Sequence, residues 1–360
     1  MKLCYLGDAN SIHTKKICDF FVKEGYEVSC ISLNKGEIPG VKVYSMDEDP
    51  NSITNSLKKV TYLNKINKIK KIVEHIKPDI VHAHYASSYG LIAALLNYKP
   101  LVLSVWGSDV YDFPKKSILH KSILRFNLKK ADYILSTSNV MKVETEKYTK
   151  KDIIVTPFGV DINKFKPSEY KKNDNNIIIG TIKSLEEKYG IEYLIRAFKI
   201  VVDSNPTIDF KLIIGGKGSQ LEYLTNLSKE LEIENLVDFI GFIDQVKVVD
   251  TLQKFDIAAF PSTLDSESFG VAAVEAQACG IPVVVTDVDG LLESTVPGKT
   301  SLVAKRKSVD DLAEKLNILV RDSKLRDDMG KNGRDNVIKN YNVIDNFNII
   351  KDLYEKLLKN

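Results

Sequence analysis

Cysteine is scarce in this chain, four residues in 360, and Cys4, Cys18, Cys30 and Cys279 form no CxxC pair. Each sits among apolar neighbours, the usual setting of a reduced, buried thiol, so neither disulfides nor structural zinc are expected. Long apolar runs are missing too: none approaches the roughly 18 residues that a spanning helix needs. The amino-terminal MKLCYLGD turns polar too early for a signal-peptide core, so a cytoplasmic setting is expected. Low-complexity tracts and fixed-period repeats are also lacking, which excludes fibrous, solenoid and largely disordered classes. Net charge is small, +3 overall, and no nucleic-acid partner is expected.

What is present is the composition of a soluble globular protein, 44% apolar and 28% charged residues. A chain of this length exceeds what one hydrophobic core usually supports, so two domains are expected. Charge is unevenly shared, +8 for residues 1–165 and −5 for the remainder. That asymmetry points to an anionic partner or membrane surface for the first half, or simply to lysines that solvate helix faces.

KLCYLGD, EVSCISL, DIVHAHY, PLVLSVWG and YILSTS are short apolar runs rich in β-branched and aromatic residues, and they read as buried parallel strands. Val60, Leu63, Ile66, Ile69, Val73 and Ile76 recur at spacings of three and four with lysines between, which predicts an amphipathic helix from Val60 to Lys77. A second alternation runs through NIIIGTI, a helix near Tyr193 to Val202, FKLIIGG, a helix from Leu221 to Leu231, VDFIGF, IAAFPS and IPVVVT. Two such series imply an α/β protein of two Rossmann-like, doubly wound lobes. The polar stretch Lys164 to Asn176 reads as the linker, with a boundary near Pro167. The tail Asp345 to Leu358 is helical in pattern, with Phe347, Ile350, Leu353, Leu357 and Leu358 as apolar positions that need a surface to cover. The expected lobes are therefore 1–166 with 345–360, and 167–344.

The most informative segment is PSTLDSESFGVAAVEAQACGIPVVVT, residues 261–286. A strand end leads through a polar turn to Gly270, a helix over Val271 to Ala278, a Cys-Gly stop and a further strand. Backbone N–H groups at the start of that helix form a positive pole suited to a diphosphate, and Gly270 permits close backbone approach. Glu267 and Glu275 are separated by eight residues, roughly 12 Å along a helix, about the reach from a sugar to a ribose across two phosphates. Carboxylates accept well from sugar hydroxyls.

ESFGVAAVEAQACGIPVVVT resembles the E-x7-E signature of the retaining glycosyltransferases of family 4, which have the GT-B fold. PFGVDINKFKP is similar to that family's lobe junction, and GTIKSLEEKYGIEYLIRAF to its "GR…KG…LI.AF" segment. LIIGGKG and VDFIGFI are similar to its base-binding strands, and DIVHAH and VWGSDV to markers of its acceptor lobe. The resemblance implies two lobes facing an interlobe cleft, with Glu267 holding hydroxyls of the donor sugar, Glu275 the ribose and Lys188 the diphosphate. Phe269 and Gly270 would shape the sugar pocket, His84 would face the sugar from the other lobe, and Val271, Gly216 and Phe242 would complete the donor site. Thr181 stands where the family carries a phosphate-binding arginine, and Lys183 is the nearest cation able to substitute. Trp106, Asp289 and Leu292 likewise replace a histidine, a glycine and a proline of the family pattern.

His82 and His84 alternate along one strand and so share a side near its carboxyl end. No third ligand of matching spacing accompanies them, so a sugar contact or a packed strand-end histidine is expected at His84 in preference to zinc. Asp287-Val288-Asp289 has the DxD spacing of metal sites in another glycosyltransferase architecture but falls within a segment that resembles the family's sugar-facing loop, and neither metal nor cofactor is expected.

Two basic stretches, LKKVTYLNKINKIKK and KKSILHKSILRFNLKK, suggest a lipid-linked or otherwise anionic acceptor at the inner membrane surface. The resulting expectation is a retaining transferase using a nucleoside-diphosphate sugar, UDP-linked ahead of GDP-linked, with an acceptor hydroxyl. The acceptor would belong to a cell-surface polysaccharide, lipid-linked oligosaccharide or glycolipid. The competing readings are a GT-B phosphorylase or sugar-nucleotide epimerase, and a noncatalytic nucleotide-sugar-binding subunit.

Overall fold

The computed structural model describes residues 1–46, 65–168 and 176–359. The chain divides into two compact units, Met1–Phe158 with Ile344–Asn360, and Gly159–Val343. The second unit begins at Gly159, ahead of the boundary that the sequence suggests near Pro167. Arg334 donates to the carbonyls of Ile162 and Phe165 and draws that segment in. The stretch 169–175, most of the expected linker, lies outside the described residues.

The first unit is built on seven strands: β1 (Lys2–Leu6), β2 (Glu27–Ser32), β3 (Lys42–Ser45), β4 (Ile80–His84), β5 (Leu101–Val105), β6 (Tyr133–Ser136) and β7 (Ile153–Val155). They are parallel and ordered β3-β2-β1-β4-β5-β6-β7. All five residues of β4 and of β5 are buried, as the unbroken apolar runs require of strands covered on both faces. The five strands expected here are all present. β3 and β7 were not foreseen, and both are sheet edges of four and three residues.

The described part of the first amphipathic helix is Ile66–Ile76, with Ile69, Val73 and Ile76 buried; Val60 and Leu63 lie outside the described residues. The last helix, Val343–Lys359, contributes Phe347, Ile350 and Leu353 to the first unit's interior, but Leu357 and Leu358 are not buried. Their place is taken by Tyr354, fully buried, whose hydroxyl reaches the hydroxyl of Tyr5 at 3.1 Å and Nδ1 of His82. A tyrosine is preferred at this depth because its ring packs against Phe21 while its hydroxyl satisfies two buried polar groups.

The second unit has six parallel strands: β8 (Asn176–Ile182), β9 (Asp209–Gly215), β10 (Val237–Gly241), β11 (Ile257–Phe260), β12 (Val283–Thr286) and β13 (Ser301–Ala304). Their order is β10-β9-β8-β11-β12-β13. β13, again an edge, was not foreseen. The helices Ile191–Ser204 and Val309–Arg321 bury Leu194, Ile195, Phe198 and Leu316, Leu319 into one core with β8 and β9. Both sheets reverse strand order beside their first strand. In open α/β sheets that reversal opens a crevice at the carboxyl ends of the two central strands. The crevices lie after β1 and β4 in the first unit, and after β8 and β11 in the second.

Candidate active site

In the second unit the chain leaves β8 at Lys183 and leaves β11 at Pro261, so the reversal brings the Lys183 turn beside the segment 261–270. The two are fastened together by backbone. The Lys188 carbonyl accepts the Thr263 N–H at 2.8 Å and its hydroxyl at 3.2 Å. A Cβ at Gly190 would stand 2.1 Å from the Pro261 carbonyl oxygen, so only glycine permits this approach.

Lys183 Nζ meets Glu267 Oε2 at 2.5 Å, with side chains 18% and 10% exposed. Burial by itself would lower the Lys183 pKa. The Glu267 carboxylate, with contributions from Tyr189 and Glu275, outweighs it and holds the ammonium above its ordinary value. The lysine is therefore charged and lies in the field of both carboxylates of the E-x7-E segment. Its Nζ also stands 4.6 Å from the Tyr189 ring centroid, and Lys188 Nζ is 4.9 Å from the same ring. Tyr189 thus gathers both candidate phosphate cations, a role the sequence did not signal.

Behind Glu267 the helix Val271–Ala278 begins at Gly270, whose φ of 74° is left-handed, and no side chain caps this helix start. Its first N–H groups remain available to an anion. Glu275 lies on this helix, almost buried. Phe269 is 3% exposed and set edge-on against Tyr341 at 5.4 Å. It is therefore an interior side chain that packs against Tyr341 and anchors the residue before Gly270.

The turn is fixed from behind by Gly290, where a Cβ would fall 2.2 Å from the Glu267 carbonyl oxygen. Arg306 holds it at the side, reaching Asp265 at 2.9 Å and Asp287 at 3.1 Å. The Asp287 carboxylate is thereby engaged with a guanidinium, a structural use for the DxD-like sequence. Gly216 backs the Lys183 turn: a Cβ there would lie 1.9 Å from the Lys183 carbonyl oxygen. Phe242 is apart from this group, 66% exposed after the edge strand β10, with Lys217 Nζ 5.6 Å from its ring. A shallow recess nearby is lined by Glu186, Glu187 and Glu192 with Lys307, and three carboxylates against one lysine make it a poor host for a diphosphate.

In the first unit, β1 and β4 end at Leu6 and His84, so Gly7 faces His84 across the reversal. A Cβ at Gly7 would lie 3.1 Å from His84 Nδ1. His84 is buried, and its Nδ1 is 3.2 Å from the Thr14 hydroxyl. Its Nε2 has no hydrogen-bond partner among the described residues. Burial first, then the neighbouring His82 and His13, lowers its pKa well below the ordinary value, so the imidazole is neutral. Trp106 packs at 4.5 Å from the His84 ring, and Phe158 stacks on His13 at 3.7 Å.

His82 shares the side of β4 with His84, but both its ring nitrogens are used, Nδ1 by the Tyr354 hydroxyl and Nε2 by the Ser104 hydroxyl at 2.7 Å. Burial lowers its pKa to about 3. It is a satisfied interior histidine, with no nitrogen left for a metal.

The loop after β5 is organised by Asp109, fully buried, which accepts N–H groups from Ala86, Trp106 and Gly107 at 2.7 to 3.1 Å. Burial pushes its pKa up to about 6 despite those donors. The VWGSDV motif thus owes its shape to an aspartate that the sequence reading did not single out.

Residues 162–336 match the family described as glycosyl transferases group 1, and residues 2–138 match glycosyl transferase 4-like. The uncharacterized glycosyltransferase MJ1178 of Methanocaldococcus jannaschii is 30% identical over 280 residues, 77% of this chain and 75% of its own. N-acetyl-alpha-D-glucosaminyl L-malate synthase of Bacillus anthracis is 26% identical over 290 residues, 76% and 74% of the two chains. Sucrose-phosphate synthase from Thermosynechococcus elongatus has the same fold, with a TM-score of 0.88 at 17% identity over 100% of this chain and 99% of its own. Anabaena Alr3699/HepE, solved in complex with UDP, has a TM-score of 0.81 at 19% identity over 99% and 100%. At these identities the two structures establish the GT-B fold.

Proposed function

The chain belongs to the group 1 glycosyltransferases of the family 4 type, and from that premise we propose that it transfers a sugar from a nucleoside-diphosphate sugar to an acceptor hydroxyl with retention of anomeric configuration. The observation that carries the donor assignment is the buried Lys183–Glu267 ion pair beside the uncapped start of the helix Val271–Ala278. Without donor, the two charges satisfy each other. With donor, Lys183 and Lys188 turn to the diphosphate, the helix N–H groups add to them, and Glu267 is released to accept sugar hydroxyls while Glu275 takes the ribose.

The chemical problem is the negative charge that grows on the departing nucleoside diphosphate, and two lysines with a helix pole answer it without a divalent ion. Among the described residues of this group the carboxylates Glu267 and Glu275 are assigned to sugar and ribose hydroxyls, and none is assigned as a nucleophile. The donor's own phosphate oxygen therefore takes the acceptor proton as the new glycosidic bond forms and the old one breaks on the same face. In the first unit, His84 is neutral and its Nε2 has no partner among the described residues, which suits a neutral hydroxyl-bearing ligand at the end of β4. UDP is favoured over GDP as the nucleotide, in keeping with the UDP found in HepE.

The decisive measurement is donor consumption by the purified chain, with UDP- and GDP-sugars in parallel and with and without acceptors. Glu267→Ala should lower turnover by at least about 100-fold. Glu267→Gln, which keeps the side chain's volume beside Lys183, should be similarly impaired; its melting temperature should fall because Lys183 loses its buried counter-charge, and circular dichroism at the assay temperature checks that it is folded. Full activity in Glu267→Gln would sink the assignment, and NMR of the product's anomeric proton checks retention.

A further inference from the structure

The helix Ile118–Lys130 of the first unit carries a surface that glycosyl transfer does not explain. Its inner side buries Leu124, Asn127 and Leu128, and Asn127 Nδ2 donates to the carbonyls of Ala86 and Ser87 just beyond β4. Its outer side begins with Ile118 and Leu119, 86% and 67% exposed, and continues at helical spacing through Ser122 to the partly exposed Phe126. Water-facing aliphatic pairs at a helix start contribute nothing to folding. Lys115, Lys116 and Lys121 adjoin the pair in sequence, Arg125, Lys129 and Lys130 follow along the helix, and no carboxylate occurs between Asp112 and Asp132. The helix is held rigidly on its inner side, so the apolar and basic groups are presented together.

We propose that this surface docks on an anionic lipid bilayer, with Ile118 and Leu119 entering the acyl boundary and the cations meeting lipid phosphates. Two observations favour a bilayer over a nucleic acid. The most exposed side chains are aliphatic, which gain by leaving water but neither stack on bases nor bond phosphates, and the cations flank an apolar tip as in interfacial helices. The helix is tied to the loop that follows His84, so docking brings the acceptor-side strand ends toward the lipid. This deepens the proposed function by making the acceptor lipid-borne, but the binding itself is read without donor.

The test is co-sedimentation of the full chain with vesicles of pure phosphatidylcholine and with vesicles of equal parts phosphatidylcholine and phosphatidylglycerol. Binding is expected to the anionic vesicles only and to weaken with salt. Ile118→Ser with Leu119→Ser should reduce it about tenfold, and each of Lys115→Gln, Lys116→Gln and Lys121→Gln about fivefold. Because these side chains are exposed, the variants should melt like the parent and consume donor in vesicle-free solution at the parent's rate. Absence of binding, equal binding to neutral vesicles, or an unaffected serine double variant would overturn the proposal. So would displacement of bound protein from anionic vesicles by single-stranded RNA at equal phosphate concentration. Vesicle binding by a chain that consumes no sugar donor would leave the docking intact and remove the transferase reading instead.

Discussion

The two sheets share one strand order, reversed beside the first strand, yet their crevices are furnished in opposite ways. The second unit puts a buried ion pair, a second lysine and an uncapped helix start at the reversal. The first unit puts a neutral histidine among Thr14, Trp106 and Tyr5, beside a histidine whose nitrogens are both satisfied. A common topology therefore fixes where a ligand binds but leaves its charge to the few residues after each strand. One crevice suits a diphosphate, and the other suits a neutral polyhydroxyl group.

The largest effect that would break this contrast is at Lys183. Lys183→Met should lower donor turnover by about 100- to 1,000-fold, and it leaves Glu267 buried without its cation. Lys183→Arg should recover part of the activity, as initial rates of nucleotide release would register. If Lys183→Met matched the parent, the charged crevice would have no role in transfer.

Next is Asp109→Ala, which strands the N–H groups of Ala86, Trp106 and Gly107 in the interior. A stability loss of about 3 kcal/mol in urea unfolding is expected. A loss below about 1 kcal/mol would mean that this loop is not organised by the carboxylate.

The smallest effect sharpens the contrast through pH. Folding lowers the pKa of His82 to about 3 and that of His84 in the same direction. Each therefore binds a proton more readily in the unfolded chain. Their contribution is complete above the ordinary histidine value and is lost as pH falls from there toward about 3. At pH 5 the loss from His82 is about 2 kcal/mol. Asp109, with its pKa pushed up to about 6, works in the opposite direction over this range and offsets about 1 kcal/mol. With His84 adding to His82, the melting temperature should still fall between pH 7.5 and pH 5, and Lys183→Arg, in the other unit, should leave that slope unchanged. A flat profile would contradict a buried neutral pair.

Ten of the thirteen strands among the described residues were legible because a parallel strand covered on both faces reads as a near-continuous apolar run. The three that were not, β3, β7 and β13, are edges of three or four residues, which pair with one neighbour only and are too short to carry a long apolar run. Leu357 and Leu358 fit the helical spacing of the last helix, yet Leu357 is only half-buried and Leu358 exposed, because they fall in the helix's last turn beyond the buried Leu353 and Tyr354. Phe269 is marked for a pocket by its position in a motif, and its packing against Tyr341 enters only with the tertiary structure.

At the site, the Gly270 helix start and the carboxylates Glu267 and Glu275 could be found from sequence, since turn, helix and spacing are local properties of a short segment. The pairing of Lys183 with Glu267, the hold of Arg306 on Asp265 and Asp287, and the placing of two lysines about Tyr189 could not.

Sequence alone determined the α/β class, the two series of strands and helices, and the segment where a phosphate would bind, because periodicity and helix starts are written over a few consecutive residues. Only the tertiary structure decided which cation meets which carboxylate and which histidine keeps a free nitrogen. Those contacts depend on strand order, which brings distant strand ends together and leaves no local trace.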